Sequence, residues 1–230
     1  MALQPAFSSA LSALFFGLSA VLILLGGGLE PTDLDCVKSR SSWSPAWEAL
    51  HHKWRTFENG FMLQSPYKGV PSPTLEAIWN SSLPEDPISF SHQELALLGD
   101  ETSNFDVDES HGGTGLGHLE VFRNLACLNF LRQTTYIKDY DYSYLDAFKG
   151  PESSVMEQVD GCVQRLRQVL MCEGDATPYL IVLTPERKQK ESPDFNTLHY
   201  CRDFDSLLSW TREHGSRPSA SLPSLHVFSG

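Results

Sequence analysis

Two stretches of this chain repeat their apolar residues at intervals of three and four, and that rhythm commits its centre to packed helices. Val121, Leu125, Leu128 and Leu131 form the first series; Met156, Val159, Val163, Leu166 and Leu170 form the second. Such spacing lines one face of a helix, which then needs an apolar partner. Ser154 and Glu157 have capping-box spacing at the head of the second series, and Gly174 is its stop. A third helix is expected from Asp203, burying Phe204, Leu207 and Leu208. Ser72-Pro73 and the pair Ser91 and Glu94 are further start signals. The first is followed by Leu75, Ile78 and Trp79 on one face, the second by a stop at Gly99. Ser44-Pro45 carries the same signal ahead of Trp47, Leu50 and Trp54. Strand-like runs are fewer, with Tyr179–Leu183 the clearest. The expected fold is mainly α with minor β, a single helical domain over residues 46–230.

Residues 1–29 carry no charged side chain, and Leu11–Leu25 is almost wholly apolar. Extended from Ala6 through Gly26, this core reaches the roughly 20 residues that a bilayer-spanning helix needs. The segment is expected to be a transmembrane signal anchor, with a cleaved signal peptide as the competing reading. Residues 30–45 read as a polar juxtamembrane linker. Lys38 and Arg40 give a small positive count just after the span, which by itself favours the cytoplasmic side. The cysteines and the sequon at Asn80 favour an oxidising lumen instead. The expectation is a single-pass membrane glycoprotein with the bulk of the chain in the secretory-pathway lumen.

The formal charge of −12 excludes nucleic acid as a partner, since phosphate binding needs clustered Lys and Arg. Five cysteines allow at most two internal bridges. Cys36 is the expected spare, and sequence alone does not fix connectivity among Cys127, Cys162, Cys172 and Cys201. A zinc site is disfavoured, because there is no Cys-x-x-Cys and no paired histidine.

The segments LEVFRNLACLNFLR and VMEQVDGCVQRLRQVLMCEGDATPYL, followed by DFNTLHYCRDFDSLLSW, resemble the UstYa-like family of fungal secondary-metabolite (mycotoxin) biosynthesis enzymes. That family reads His-x-x-His-Cys in each of the first two segments. The resemblance implies oxidative ring closure on peptides or polyketides, one N-terminal span, and paired imidazoles holding copper or iron. It also favours the pairing Cys127–Cys162, because these two occupy equivalent motif copies, with Cys172–Cys201 as the second bridge. In this chain the four imidazole positions are Arg123, Ala126, Gln158 and Gly161. Arg does not deprotonate to act as an ordinary ligand, Ala and Gly have no donor atom, and Gln is a weak one. No metal and no other cofactor is expected. Copper or iron enters only if the chain is an ordinary oxidase of the family with ligands elsewhere.

The frame around the emptied positions persists: both cysteines, Leu166-Arg167-Gln168, Leu170-Met171-Cys172, Asp175 and Cys201–Phe204. An intact frame around a lost centre suggests a repurposed cavity. The expected activity is a metal-free ring closure by a non-redox cyclase or pericyclase of Diels–Alder type. It would act on a small-molecule polyketide or peptide precursor. Such chemistry needs a pocket that folds the reactive chain and a donor that polarises a carbonyl. Arg123 and Gln158 are the candidate donors, with Ala126, Gly161 and Glu120 around them; Asp160 and His199 are candidates for proton transfer. Each has a plainer reading. Arg123 would pair with Glu120, Asp160 would hydrogen-bond near its helix start, and His199 would cap a turn. The aromatic run Tyr136–Tyr144 either lines a substrate mouth or packs its rings in a loop. Two other functions stay open: an oxidase, and a non-catalytic membrane partner forming a homo- or hetero-oligomer with a UstYa-like paralogue.

The emptied ligand positions make a direct prediction. Elemental analysis of the dialysed protein is expected to find no stoichiometric copper, iron or zinc. One retained equivalent, or activity lost to a chelator and restored by a single metal, would contradict this.

Overall fold

A computed structural model describes residues 4–26, 31–58, 60, 63–98, 115–183 and 191–216. The chain divides into two units, Met1–Trp47 and Glu48–Gly230. The first unit contains helix α1 (Gln4–Gly26) and helix α2 (Asp33–Arg40). Thr32 caps α2 by accepting from the Asp35 N–H, while the Asp35 carboxylate accepts from the Thr32 N–H. Lys38 sits over the Trp47 ring, 5.4 Å from its centroid. The described side chains of α1 run unbroken only from Ser9 to Leu24. Among the described residues no helix is long and apolar enough to cross a membrane. The transmembrane helix expected over residues 1–29 therefore has no support there.

In the second unit the mainly helical expectation holds. Its elements are β1 (His52–Thr56), α3 (Pro73–Asn80), β2 (Ile88–Phe90), α4 (His92–Leu97), β3 (Gly115–Gly117), α5 (Glu120–Thr135), α6 (Glu152–Glu173), β4 (Leu180–Leu183), β5 (Glu191–Asp194), β6 (Leu198–Arg202) and α7 (Phe204–Glu213). The strands make three antiparallel two-stranded sheets, β1–β6, β2–β3 and β4–β5. Ser72 caps α3 and Asp203 caps α7, as the sequence suggests. The Ser91–Glu94 capping box is formed, whereas Gly99 lies outside the described residues. Residues 100–114 lie outside them too, and β3 follows.

Two expected helix starts are corrected. After Ser44-Pro45 the chain makes a single 3-10 turn, Trp47–Ala49, and then enters β1. Trp54 lies opposite Tyr200 of β6, their rings 4.9 Å apart, so cross-strand pairing overrides the helical spacing. The second long helix begins at Glu152 behind Pro151, two residues ahead of Ser154. Pro151 presets the backbone at that boundary, and Ser154 and Glu157 lie within the first turns instead of capping them.

α5 and α6 lie against each other. The Cys127–Cys162 disulfide joins them with Cα atoms 5.1 Å apart, and around it Phe130 and Val155 are buried with Leu131, Val159 and Leu166 packed on them. The buried stripe of α6 is thus Val155, Val159, Cys162 and Leu166. Met156, Val163 and Leu170 of the expected stripe are exposed. The bridging cysteine sets the helix rotation, and the apolar series lies one residue off that face.

A buried polar cluster ties α3 to α5. Glu76, 5% exposed, accepts from Arg132 at 2.6 Å, from Gln133 at 3.0 Å and from the Tyr142 hydroxyl at 3.0 Å. Tyr142, 1% exposed, stacks on Phe148. Of the two readings of the Tyr136–Tyr144 run, ring packing in a loop holds for this tyrosine. Burial alone would push the Glu76 carboxyl up, but the hydrogen bonds from Arg132, Gln133 and Tyr142 outweigh it and hold it below the usual range. Burial, then the Glu76 hydrogen bond, pushes the Tyr142 phenol up to about 12.

Removing one partner of such a buried pair leaves the other charge uncompensated, at a cost of roughly 3–5 kcal/mol. Glu76→Gln is expected to lower the melting temperature accordingly. Because the folded Glu76 carboxyl is depressed, its stabilisation is present above the ordinary carboxylate range and is lost as pH falls through the folded value. The stability difference between wild type and Glu76→Gln should therefore shrink on acidification, as read by denaturant midpoints across pH. A difference independent of pH would contradict the pairing.

Candidate functional site

The disulfide that packs α5 on α6 also floors an open cleft of about 500 Å³ between them. Ser154, Gln158, Gly161, Arg165 and Gln168 line it along α6, at the intervals of three and four that share a helix face. At 1.5 Å per residue this stripe is roughly 20 Å long. From α5 come Arg123 and Cys127. The helices run antiparallel, because Cys127 meets Cys162 while Asn124 Oδ1 accepts from Arg165 Nε at 2.9 Å. Arg123 therefore stands beside Arg165 at one end of the groove, and Ser154, Glu157 and Gln158 occupy the other.

Each expected site residue has a definite place. Arg123 is exposed in the cleft and has no ion pair or hydrogen-bond partner among the described residues. Its expected alternative partner, Glu120, pairs with Arg165 instead. Gln158 is half-buried; its Nε2 donates to the Ala147 carbonyl at 3.4 Å, and its Oε1 is buried without a partner. Its donor is thus engaged and its acceptor is covered. Ala126 is buried in the helix packing and does not line the cleft. Asp160 is exposed and does not line it either.

His199 is held elsewhere, on β6. Its Nδ1 lies 3.0 Å from the Thr197 carbonyl, its Nε2 3.1 Å from Asp175 Oδ2, and its ring stacks on Phe57 at 3.9 Å. Hydrogen bonds from Thr177, then the nearby His199, hold the Asp175 carboxyl below its usual range. The Nε2 contact ties the segment after α6 to β6, while Nδ1 is engaged locally by Thr197. Asn80 is exposed at the end of α3, where a glycan would meet solvent.

The cysteines divide. Cys127 and Cys162 are joined as expected, but Cys172, Cys201 and Cys36 are free. The expected Cys172–Cys201 bridge is not formed. Cys172 is exposed on the last turn of α6, while Cys201 lies in the middle of β6 opposite Lys53.

The donor set does not fit the copper or iron that the resemblance implies. Arg123 stays protonated, Gln158 is anchored on Ala147, and Ala126 is packed away. A Cβ at Gly161 would meet nothing within 4 Å, so the space an imidazole would take is open cleft. Among the described residues no three His, Cys, Asp or Glu side chains gather to hold an ion. What remains is a groove with guanidinium and carboxamide groups over a disulfide floor.

Arg165 is the residue that sequence reasoning missed. Its signal was available: four residues beyond Gly161, it shares that helix face. A second, apolar cleft of about 270 Å³ lies across α5, lined by Trp79, Leu125, Leu128 and Phe204 among others. There the Trp79 indole N–H is already donated to the Tyr67 carbonyl. The α5–α6 groove is thus the better equipped of the two to act on a substrate.

The comparisons agree with this frame. Residues 4–214 match the family model described as mycotoxin biosynthesis protein UstYa. Among curated proteins, the UstYa family oxidase phomYc of Diaporthe leptostromiformis is 36% identical over 86% of this chain and 78% of its own length. The phomYc' oxidase of the same fungus is 35% identical over 86% of this chain and 72% of its own length. The transacylase cctO of Talaromyces islandicus is 30% identical over 80% of this chain and 63% of its own length. No solved structure matches.

The thiol assignment has a direct check. Alkylation of the unfolded, unreduced protein should label Cys36, Cys172 and Cys201, and reduction should add only Cys127 and Cys162. Cys162→Ser is expected to cost about 2–5 kcal/mol of stability. Labelling of all five thiols before reduction would contradict the bridge.

Proposed function

The chain belongs to the UstYa family of fungal mycotoxin biosynthesis proteins, and from that premise we propose that it is a metal-free tailoring enzyme that closes a ring in a small-molecule precursor. The observation that carries this reading is the character of the groove. The positions that hold histidines in the family are Arg123, Ala126, Gln158 and Gly161, and the space over Gly161 is open. Ring closure of pericyclic type transfers no electron to a metal. It needs the reactive chain held folded, with its ends near contact, which can supply several kcal/mol of the barrier.

Arg123 is a donor in the cleft with no partner among the described residues. Its guanidinium N–H groups donate to an oxygen of the bound precursor, fixing that end and withdrawing density from the unsaturation attached to it. The disulfide and the packed helices hold the groove's width, so this environment is preorganised. Asp160 and His199 take no part in this step, since neither lines the groove. A relative named as a transacylase is consistent with family members whose names do not describe an oxidation.

The oxidase reading is favoured by the names of the other relatives, and metal analysis separates it from ring closure without a metal. Turnover by the purified chain alone separates both from a non-catalytic partner. In this proposal α1 anchors the protein at a membrane, with the second unit in the secretory lumen beside the free sequon Asn80.

The test uses the purified chain with its linear precursor and a chelator present. Arg123→Ala is expected to lower the rate about 100–1,000-fold, the usual cost of one oxyanion-type donor, with an unchanged melting temperature because the side chain is exposed. Gly161→His should block the groove while keeping the fold, since the new side chain points into open space. Full rate and unchanged product stereochemistry in both variants would place the chemistry elsewhere.

A further inference from the structure

The groove has two unlike ends, and the difference names its ligand. At one end, two guanidinium groups from neighbouring helices face the same cleft, Arg123 on α5 and Arg165 on α6. Arg165 is held in place: its Nε donates to Asn124 Oδ1 at 2.9 Å, its Nη2 pairs with Glu120, and its side chain is 23% exposed. Its Nη1 has no partner among the described residues. Arg123 has no partner at all among them. Glu120, itself 74% exposed, offsets one of the two charges, so that end keeps a surplus cation in a protein whose formal charge is −12. The other end carries Glu157 and the buried, unpartnered Oε1 of Gln158.

We propose that Arg123 and Arg165 together form a carboxylate anchor, and that the precursor bound in this groove is an elongated molecule bearing a carboxylate at one end. This rests on the groove being the substrate site. It identifies the oxygen that Arg123 meets as a carboxylate oxygen and gives Arg165 a positioning role. Guanidinium groups bind planar carboxylates through paired N–H donors. Two turns of α6, roughly 10 Å, separate Arg165 from Gln158. The bound molecule therefore extends about that far from its carboxylate along the groove. Glu157 disfavours a second anion at that end, so the ligand carries its negative charge at one terminus only. The chemistry upstream must then release or leave a free acid, as hydrolytic release from a carrier does, before this protein acts.

The test measures binding by the full chain without turnover, by NMR titration or calorimetry. The probes are 2,4-hexadienoate, its primary amide 2,4-hexadienamide, and inorganic phosphate. The acid is expected to bind at least about tenfold more tightly than the amide, the loss typical of a hydrogen bond to a charged group. Arg123→Gln should remove that preference without changing the melting temperature, and Arg123→Lys should restore part of it. Arg165→Gln should weaken the acid as well; if it loosens the helix pair, the Arg123 variants decide alone. Equal binding of acid and amide, no binding of either at millimolar concentration, an Arg123→Gln protein that still prefers the acid, or phosphate displacing the acid at equal concentration would each overturn the carboxylate anchor. Ring closure that persists without acid preference would overturn this inference alone. Acid preference in a chain with no ring-closing activity would overturn only the functional reading.

Discussion

The covalent bond between Cys127 and Cys162 decides the geometry on which the site depends. It brings α5 and α6 within 5.1 Å at one Cα pair. From that pin, the antiparallel register places Asn124 on Arg165 and puts Arg123 beside it. It also sets the rotation of α6, turning Val155, Val159 and Leu166 inward and the face of Gly161 and Gln168 toward the groove. One bond therefore serves both packing and site shape.

The second fixed point is the buried Glu76 cluster. A carboxylate with so little exposure is tolerable only because three donors from α5 and the following loop converge on it. It locks α3 and the Tyr142 loop onto the end of α5, away from the groove. Arg132 also lies over the Trp79 ring, 5.3 Å from its centroid. This part of the fold is thus held by its own buried network, away from the groove.

The emptied positions are not equivalent in space. Ala126 is packed inside, so its loss of a ligand became core. Gly161 opens onto the cleft, Arg123 reaches into it, and Gln158 is anchored on Ala147 with its Oε1 buried. The groove has direction: Arg123 and Arg165 make one end cationic, and Gln158 and Glu157 make the other amide and acidic. A symmetric metal nest has no such polarity, and polarity is what orients an unsymmetrical substrate.

The sequence by itself determined the helices, several of their caps and the family. Ser72, Ser91 and Asp203 act locally, through side chains that reach N–H groups two or three residues away, so their caps are legible in one dimension. The motif frame around Cys127 and Cys162 is likewise legible, and with it the bridge and the departure of the metal ligands. Only the tertiary structure decided the rest. Trp54 became a strand residue because β6, far along the chain, offered a pairing partner. Cys172 and Cys201 stayed apart because the end of α6 and the middle of β6 present them separately. Arg165 entered the site and Asp160 left it because the disulfide fixes which face of α6 meets α5, while His199 is held on β6 against Asp175 and Phe57. A three-and-four spacing names a stripe on a helix, but the partner across the interface decides which way that stripe turns.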